Sequence, residues 1–237
     1  MASLHKKIFW VVIFSVSMAF LEAAVVIYLR ELYYPEGFSF PLKTLSEKVI
    51  VTELFRELAT LIMMISIAFM VTDQKKDRFS WFIFVFGIWD IFYYVFLKIF
   101  INWPESLFTW DVLFLLPSTW VGPVICPVLN SLTMIIIAIM VLKPGKNGFK
   151  PAIVKWEWIL LIAGAVLVFI SYTEAYYFYI ISKFDSSAVL FCSTNDELIE
   201  HASRFVPEQF RWGIFISGQL LFLAMITIYG RRKFFIG

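Results

Sequence analysis

A chain of 237 residues that is 61% hydrophobic and 16% charged, with a formal charge of +2 and a mean hydropathy of +0.82, has more apolar surface than a water-soluble fold can bury. An average globular domain is about half apolar and about a quarter charged. The same figures exclude disorder, a coiled coil and nucleic-acid binding, since no basic stripe screens a phosphate backbone, and with Cys 2 and His 2 there is no disulfide framework, Cys-rich metal site or paired haem ligation.

A bilayer core of about 30 Å is crossed by about 20 residues rising 1.5 Å each. Apolar runs of that length predict an all-α polytopic bundle of six helices, one transmembrane domain over 1–237, with spans at about 8–29, 49–72, 79–101, 120–142, 158–182 and 212–229. The first run follows His5, Lys6 and Lys7 as a signal peptide would. It is read as a span because it is too long and no small-residue cleavage site follows. Thr44-Leu-Ser-Glu47 has capping-box spacing, which starts the second helix ahead of its apolar stretch. Between the third and fourth spans, Trp103, Pro104, Trp110, Pro117, Trp120, Pro123 and Pro127 crowd a segment too apolar for an aqueous loop. Residues 102–119 then form either a re-entrant element whose backbone protein covers or a Trp-anchored loop in the aromatic belt. In the last outer loop Thr194-Asn-Asp-Glu197 repeats the capping signature. It opens a short helix with Leu198, Ile199, Ala202 and Phe205 on one stripe, expected to lie on the outer membrane surface.

Orientation follows from the basic residues of the connections. Lys6, Lys7, Lys75, Lys76, Arg78, Lys143, Lys146, Lys150, Lys155, Arg231, Arg232 and Lys233 make twelve on one side; Arg30, Lys43, Lys48, Lys183, Arg204 and Arg211 make six on the other. Both termini are therefore expected in the cytoplasm, as an even span count requires.

Ionisable groups inside a membrane are costly and are functional candidates by default. The spans contain Glu22, Glu53, Glu57, Asp90 and Glu174, at depths of roughly 6 to 13 Å from the outer surface. Asn130 and Gln219 share that outer half. Glu53, Arg56, Glu57 and Thr60 fall on one helical face, and so do Asp90, Tyr93, Tyr94 and Leu97, with Gly87 one turn earlier admitting a neighbouring helix. Ser171, Glu174 and Tyr177 form a third stripe. Facing one another, these stripes predict a single polar chamber opening outward. Five acids against Arg56, or against Arg56 and a snorkelling Lys98, leave an untenable surplus in a low dielectric. Carboxyls there keep their protons, or a cation sits among them, or water enters. With no His or Cys in the chamber, any metal would use oxygen ligands from Glu22, Glu53, Glu57, Asp90 and Glu174. That suits Ca²⁺, Mg²⁺ or Mn²⁺ and argues against Zn, Cu and haem; no cofactor is expected. The competing reading is structural: Glu53, Arg56 and Glu57 tie helices together, with Tyr and Gln completing the hydrogen bonds.

No nucleophile elbow, Walker loop, dinucleotide fingerprint or His-Glu-x-x-His sequence is present. Asp90 and Asp111 lack the flanking glycines that an intramembrane acid pair would need to admit a substrate backbone. Cys126 and Cys192 are read either as a disulfide or as two free thiols. Phe86-Gly-Ile-Trp-Asp-Ile-Phe-Tyr-Tyr-Val-Phe-Leu-Lys98, Trp103-Pro104, Thr109-Trp110-Asp111, Trp120-Val-Gly-Pro123 and Leu21-Glu-Ala-Ala-Val-Val-Ile-Tyr-Leu-Arg30 resemble a family of uncharacterised bacterial multi-pass membrane proteins, in scattered blocks over about half of the chain. The resemblance implies a bacterial inner membrane and no particular chemistry. The leading expectation is that the chamber binds or passes a proton, cation or small polar ligand at Glu22, Glu53, Arg56, Glu57, Asp90, Tyr93, Tyr94, Glu174 and Gln219. The protein would then be a small transporter or a subunit of a larger membrane complex. The alternatives are a membrane-embedded enzyme acting on a lipid or quinone, with Asp90 or Glu57 as acid or base, and an assembly factor with no ligand. Expected partners are membrane lipid, other membrane subunits or a second copy, and no nucleic acid.

Overall fold

The computed structural model describes residues 3–145, 148, 150–189 and 196–236. Helices α1 (Leu4–Tyr33), α2 (Glu47–Val71) and α3 (Lys75–Ile101) lead into a hairpin of β1 (Trp110–Phe114) and β2 (Trp120–Pro123). Helices α4 (Ile125–Leu142), α5 (Lys155–Ile181), the short α6 (Asp196–Ser203) and α7 (Trp212–Ile236) follow. All but α6 are long and apolar enough to cross a membrane, and the chain is a multi-pass membrane protein. Residue exposure on α2 shows what it is built to face. Phe55, Ile62 and Phe69 are 66%, 54% and 54% exposed at seven-residue spacing, while Glu53, Glu57, Thr60, Met64 and Ala68 are buried on the opposite face. An apolar outside and a polar inside suit lipid as the solvent.

The spans alternate in direction. Lys7 at the start of α1 donates to the Val71 carbonyl at the end of α2, 2.6 Å away, and Arg232 near the end of α7 meets Glu157 near the start of α5. One end of the bundle therefore carries both termini, and the other carries the hairpin and α6. Helix α3 is central, packing on α1, α2 and α4, while α7 packs on α4 and α5. Small residues set two of these approaches, as expected where lipid gives no hydrophobic drive to helix association. A Cβ at Gly87 would stand 2.7 Å from the Ser131 carbonyl oxygen of α4, and one at Gly218 would stand 2.9 Å from the Gly164 carbonyl oxygen of α5.

The fourth span is shorter than the sequence reading has it. Residues 120–123 are strand, and α4 starts at Ile125. Proline explains the shift. Pro123 and the restriction it places on its predecessor disfavour helix, whereas Pro127 sits in the first turn of α4, where an amide hydrogen has no helical partner to lose. Strand β1 pairs with β2 antiparallel, Asp111 opposite Gly122, with a bulge between Val112 and Phe114. The N–H groups of Leu115 and Leu116 beyond β1 donate to the Glu57 carboxylate at 2.9 to 3.3 Å. Glu57 lies ten residues, about 15 Å, into α2, so the end of β1 is tied to the middle of that helix.

Three further expectations shift. Helix α2 does start ahead of its apolar stretch, but Ser46 is its N-cap, without a side-chain cap bond, and the Thr44 hydroxyl lies 3.2 Å from that of Ser203. The α6 stripe is turned to protein: Leu198 and Phe205 are buried with Tyr176 and Ile180 of α5 and Val121 of the hairpin. Of the second capping signature, Thr194 and Asn195 lie outside the described residues, as does Cys192 of the cysteine pair; Cys126 is wholly buried.

Candidate functional site

The helical phase of α1 brings Glu22, Val26, Leu29, Arg30 and Tyr33 to one face, α2 supplies Glu53, Arg56 and Glu57, α3 supplies Asp90 and Tyr93, and β1 supplies Asp111. Together they line a chamber of about 190 Å³ at the hairpin end, with Leu42, Lys43 and Leu45 of the α1–α2 connection also in its wall. Arg56 is its hub. Its Nε and Nη2 donate to Glu53 at 2.9 and 2.6 Å, and its Nη1 pairs with Glu22 of α1. The Thr60 hydroxyl donates to the same Glu22 carboxylate at 3.2 Å. These contacts join α1 to α2, and Glu57 joins α2 to the hairpin.

A second pair closes the chamber from the other side. Arg30 Nη2 lies 3.0 Å from Asp111 Oδ1, and the Tyr94 hydroxyl donates to Asp111 Oδ2 at 3.2 Å. The guanidinium carbon of Arg30 sits 3.7 Å from the centre of the Trp103 ring and 4.4 Å from that of Phe38, a desolvated cation–π arrangement. Asp90 is held differently, with Ser131 of α4 donating to its Oδ2 at 2.7 Å. The chamber thus gathers five carboxyl groups, those of Glu22, Glu53, Glu57, Asp90 and Asp111, against the guanidinium groups of Arg30 and Arg56 and the exposed Lys43 at its wall.

Of the residues singled out from sequence, Glu22, Glu53, Arg56, Glu57, Asp90 and Tyr93 come together in this chamber. Tyr94 lies behind it, acting through Asp111. Glu174 lies elsewhere, paired with Arg211 at 2.8 Å, and Gln219 belongs to a separate polar string. There Gln219 donates to Asn130 at 2.6 Å, Thr133 donates to Gln219 at 3.2 Å, and Asn130 donates to Tyr172 at 3.4 Å. Lys98 does not reach into the chamber either; its ammonium donates to the Pro104 and Asn102 carbonyls. Arg30 and Asp111 also line the chamber, whereas the sequence counts Arg30 among the connection charges and weighs Asp111 only as a partner of Asp90 in an acid pair. Arg30 stands just past an apolar run and reads as a loop charge, although its eight-residue spacing from Glu22 places it on the Glu22 face. Asp111 is brought in by strand pairing, which no local pattern in the sequence announces.

Asp90 also faces a second space. Asp90, Trp89, Leu113 and Phe114 line both the chamber and a larger cavity of about 560 Å³. That cavity is walled by Phe79, Phe82, Ile83 and Phe86 of α3, Met134 and Ile137 of α4, Ala165 and Phe169 of α5, and Leu61 of α2. Its polar side chains, Asp90, Asn130, Ser131, Thr133 and Tyr172, are few against this apolar wall. Among the described residues, no group of three or more His, Cys, Asp or Glu side chains is arranged to hold a metal ion.

No protein-family model, curated protein or solved structure matches this chain.

Proposed function

We propose that the chamber is a binding site for a small cationic ligand, entered from the outer face of a bacterial inner membrane, in a small transporter or a subunit of a larger membrane complex. The observation that carries this reading is the charge inventory: five carboxyl groups share one space with two guanidinium groups and the Lys43 side chain, a surplus of acids over bases. A structural network needs no surplus of one sign, because each unpaired charge withdrawn from water costs several kcal/mol. The surplus is met by a bound cation, by protons or by water. The absence of a converging ligand set among the described residues favours an organic ammonium group or a proton over a bare metal ion, since ammonium is satisfied by hydrogen bonds from scattered acceptors. Outward orientation is supported by the basic residues of the sequence connections, twelve on the side of the termini against six on the other.

Thermal unfolding of the purified chain in detergent tests this reading, with ethylammonium, Mg²⁺, Ca²⁺ and glucose as probes. Ligands that bind only the folded state raise its midpoint with concentration. Ethylammonium is expected to raise it, glucose to leave it unchanged, and Asp90→Asn to weaken the ethylammonium effect about tenfold, which corresponds to about 1.4 kcal/mol. No response to any of the three cations would overturn the assignment.

A further inference from the structure

An apolar, partly open cleft of about 560 Å³ is far larger than the gaps left by ordinary protein packing, which has few voids larger than a water molecule. Its size is that of a ligand site. Water does not fill such walls, because a buried water needs two to four polar partners and apolar cavities stay dry. In a membrane the filler at hand is hydrocarbon. From Phe79 to Asp90 the cavity follows α3 for eleven residues, about 16 Å, which matches a single extended chain. Its polar groups gather toward one end, where Asp90 accepts from Ser131 and is shared with the acidic chamber.

We propose that the cavity takes the hydrocarbon chain of a single-chain amphiphile whose primary ammonium head sits on Asp90, at the junction with the chamber. The proposal rests on the reading of the chamber as a cation site and names its ligand class. Two independent observations meet in it. The apolar cavity accounts for the tail, and the carboxyl surplus on the far side of Asp90 selects the sign of the head. An anionic head would add to the surplus. A hydroxyl head would leave it uncompensated. An ammonium donates hydrogen bonds to Asp90 and brings the missing positive charge into the low-dielectric space where its attraction to carboxylates is strongest.

Native mass spectrometry of the full chain released from detergent, offered dodecylammonium, dodecanol or dodecanoate, tests this inference. One dodecylammonium per chain is expected, at an occupancy about tenfold above the other two. Asp90→Asn should erase that preference while leaving dodecanol retention unchanged. Ala165→Phe and Met134→Trp, which crowd the cavity from α5 and α4, should each lose every dodecyl probe while keeping the ethylammonium effect on thermal stability. If ethylammonium stabilises the protein and dodecylammonium is not retained, or is retained no better than dodecanol, the chamber reading stands and this inference falls. Retention unaffected by both crowding variants also overturns it. If ethylammonium, Mg²⁺ and Ca²⁺ all have no effect and dodecylammonium retention ignores Asp90→Asn, both readings fall together.

Discussion

At the scale of single residues, the pair to probe is Arg30 with Asp111. Both are almost wholly buried, at 8% and 2% exposure, and each is the other's ionic partner at 3.0 Å. Burying two charges is costly, and removing one partner is costlier still because the survivor is left unpaired in a low dielectric, a loss of about 3 kcal/mol or more. Arg30→Met keeps an unbranched stem against Trp103 and Phe38 while deleting the charge, so its effect reports electrostatics more than packing. A drop in the detergent unfolding midpoint is expected for Arg30→Met and for Asp111→Asn. The double variant should be less destabilised than the sum of the two, the signature of coupling in a double-mutant cycle. Strict additivity would show that the pair contributes nothing as a pair. The same logic separates the two roles of Arg56: it ties Glu53 and Glu22 together, and with Arg30 taken by Asp111 it leaves Glu57 and Asp90 to hydrogen bonds from the Leu115 and Leu116 amides and from Ser131.

At the scale of elements, close helix approach and the inserted hairpin set the shape of the site, and they differ in how visible they are beforehand. Gly87 is legible as a contact point because it lies on the Asp90 face of α3, and the structure puts the Ser131 carbonyl of α4 against it. The contact between Gly164 and Gly218 is not signalled by periodicity, since around both glycines apolar residues run along every face of the helix. The spans follow from residue count and hydropathy. The ends of α4 and the hairpin depend on proline chemistry and on pairing between segments that composition does not specify. For the site, stripes on α2 and α3 expose Glu53, Arg56, Glu57 and Asp90, whereas Glu174, on an equally convincing stripe, is turned to Arg211 because the rotation of α5 is set by its contact with α7. That contact yields a prediction. In Gly218→Val, the first added carbon already falls 2.8 Å from Val168 Cγ2 and 2.9 Å from the Gly164 carbonyl oxygen. Helices α5 and α7 must therefore separate, with an expected loss of about 1 to 3 kcal/mol. Gly213→Ala on the same helix, where an added Cβ meets nothing within 4 Å, should cause no loss. Equal midpoints for the two variants would argue against close packing at Gly218.

At the scale of the whole molecule, the two ends have different chemistry. The termini end is basic, and several of its cations are also spent on helix ends, where carbonyls lack partners. Lys233 donates to the Met140 and Lys143 carbonyls at the close of α4 at 2.6 and 2.5 Å. Arg232 binds the fully buried Glu157 at 2.7 Å and the Ala152 carbonyl, and Lys150 pairs with Asp77. Groups already engaged in this way still count toward orientation, because the retention of Lys and Arg on the cytoplasmic side acts during insertion, before such contacts exist. The hairpin end has the chamber with its five carboxyl groups, and the α1–α2 connection at its wall. If the charge asymmetry sets the orientation, an impermeant thiol reagent applied to intact cells should modify a cysteine at exposed Ser186 and spare one at exposed Lys76, in a background carrying Cys126→Ser and Cys192→Ser. Permeabilised cells should modify both. Depth makes a further demand on the same experiment. Between Asp90 and the termini end the cavity is lined by Phe79, Phe82, Ile83, Ile137 and Leu161, which give water and ions no stepping stone, so a cysteine at Tyr93 in the chamber wall should react from outside and one at Ile83 from neither side. Labelling of Ile83 from the cytoplasm would establish a through-going aqueous path, and the one-sided site would give way to a channel.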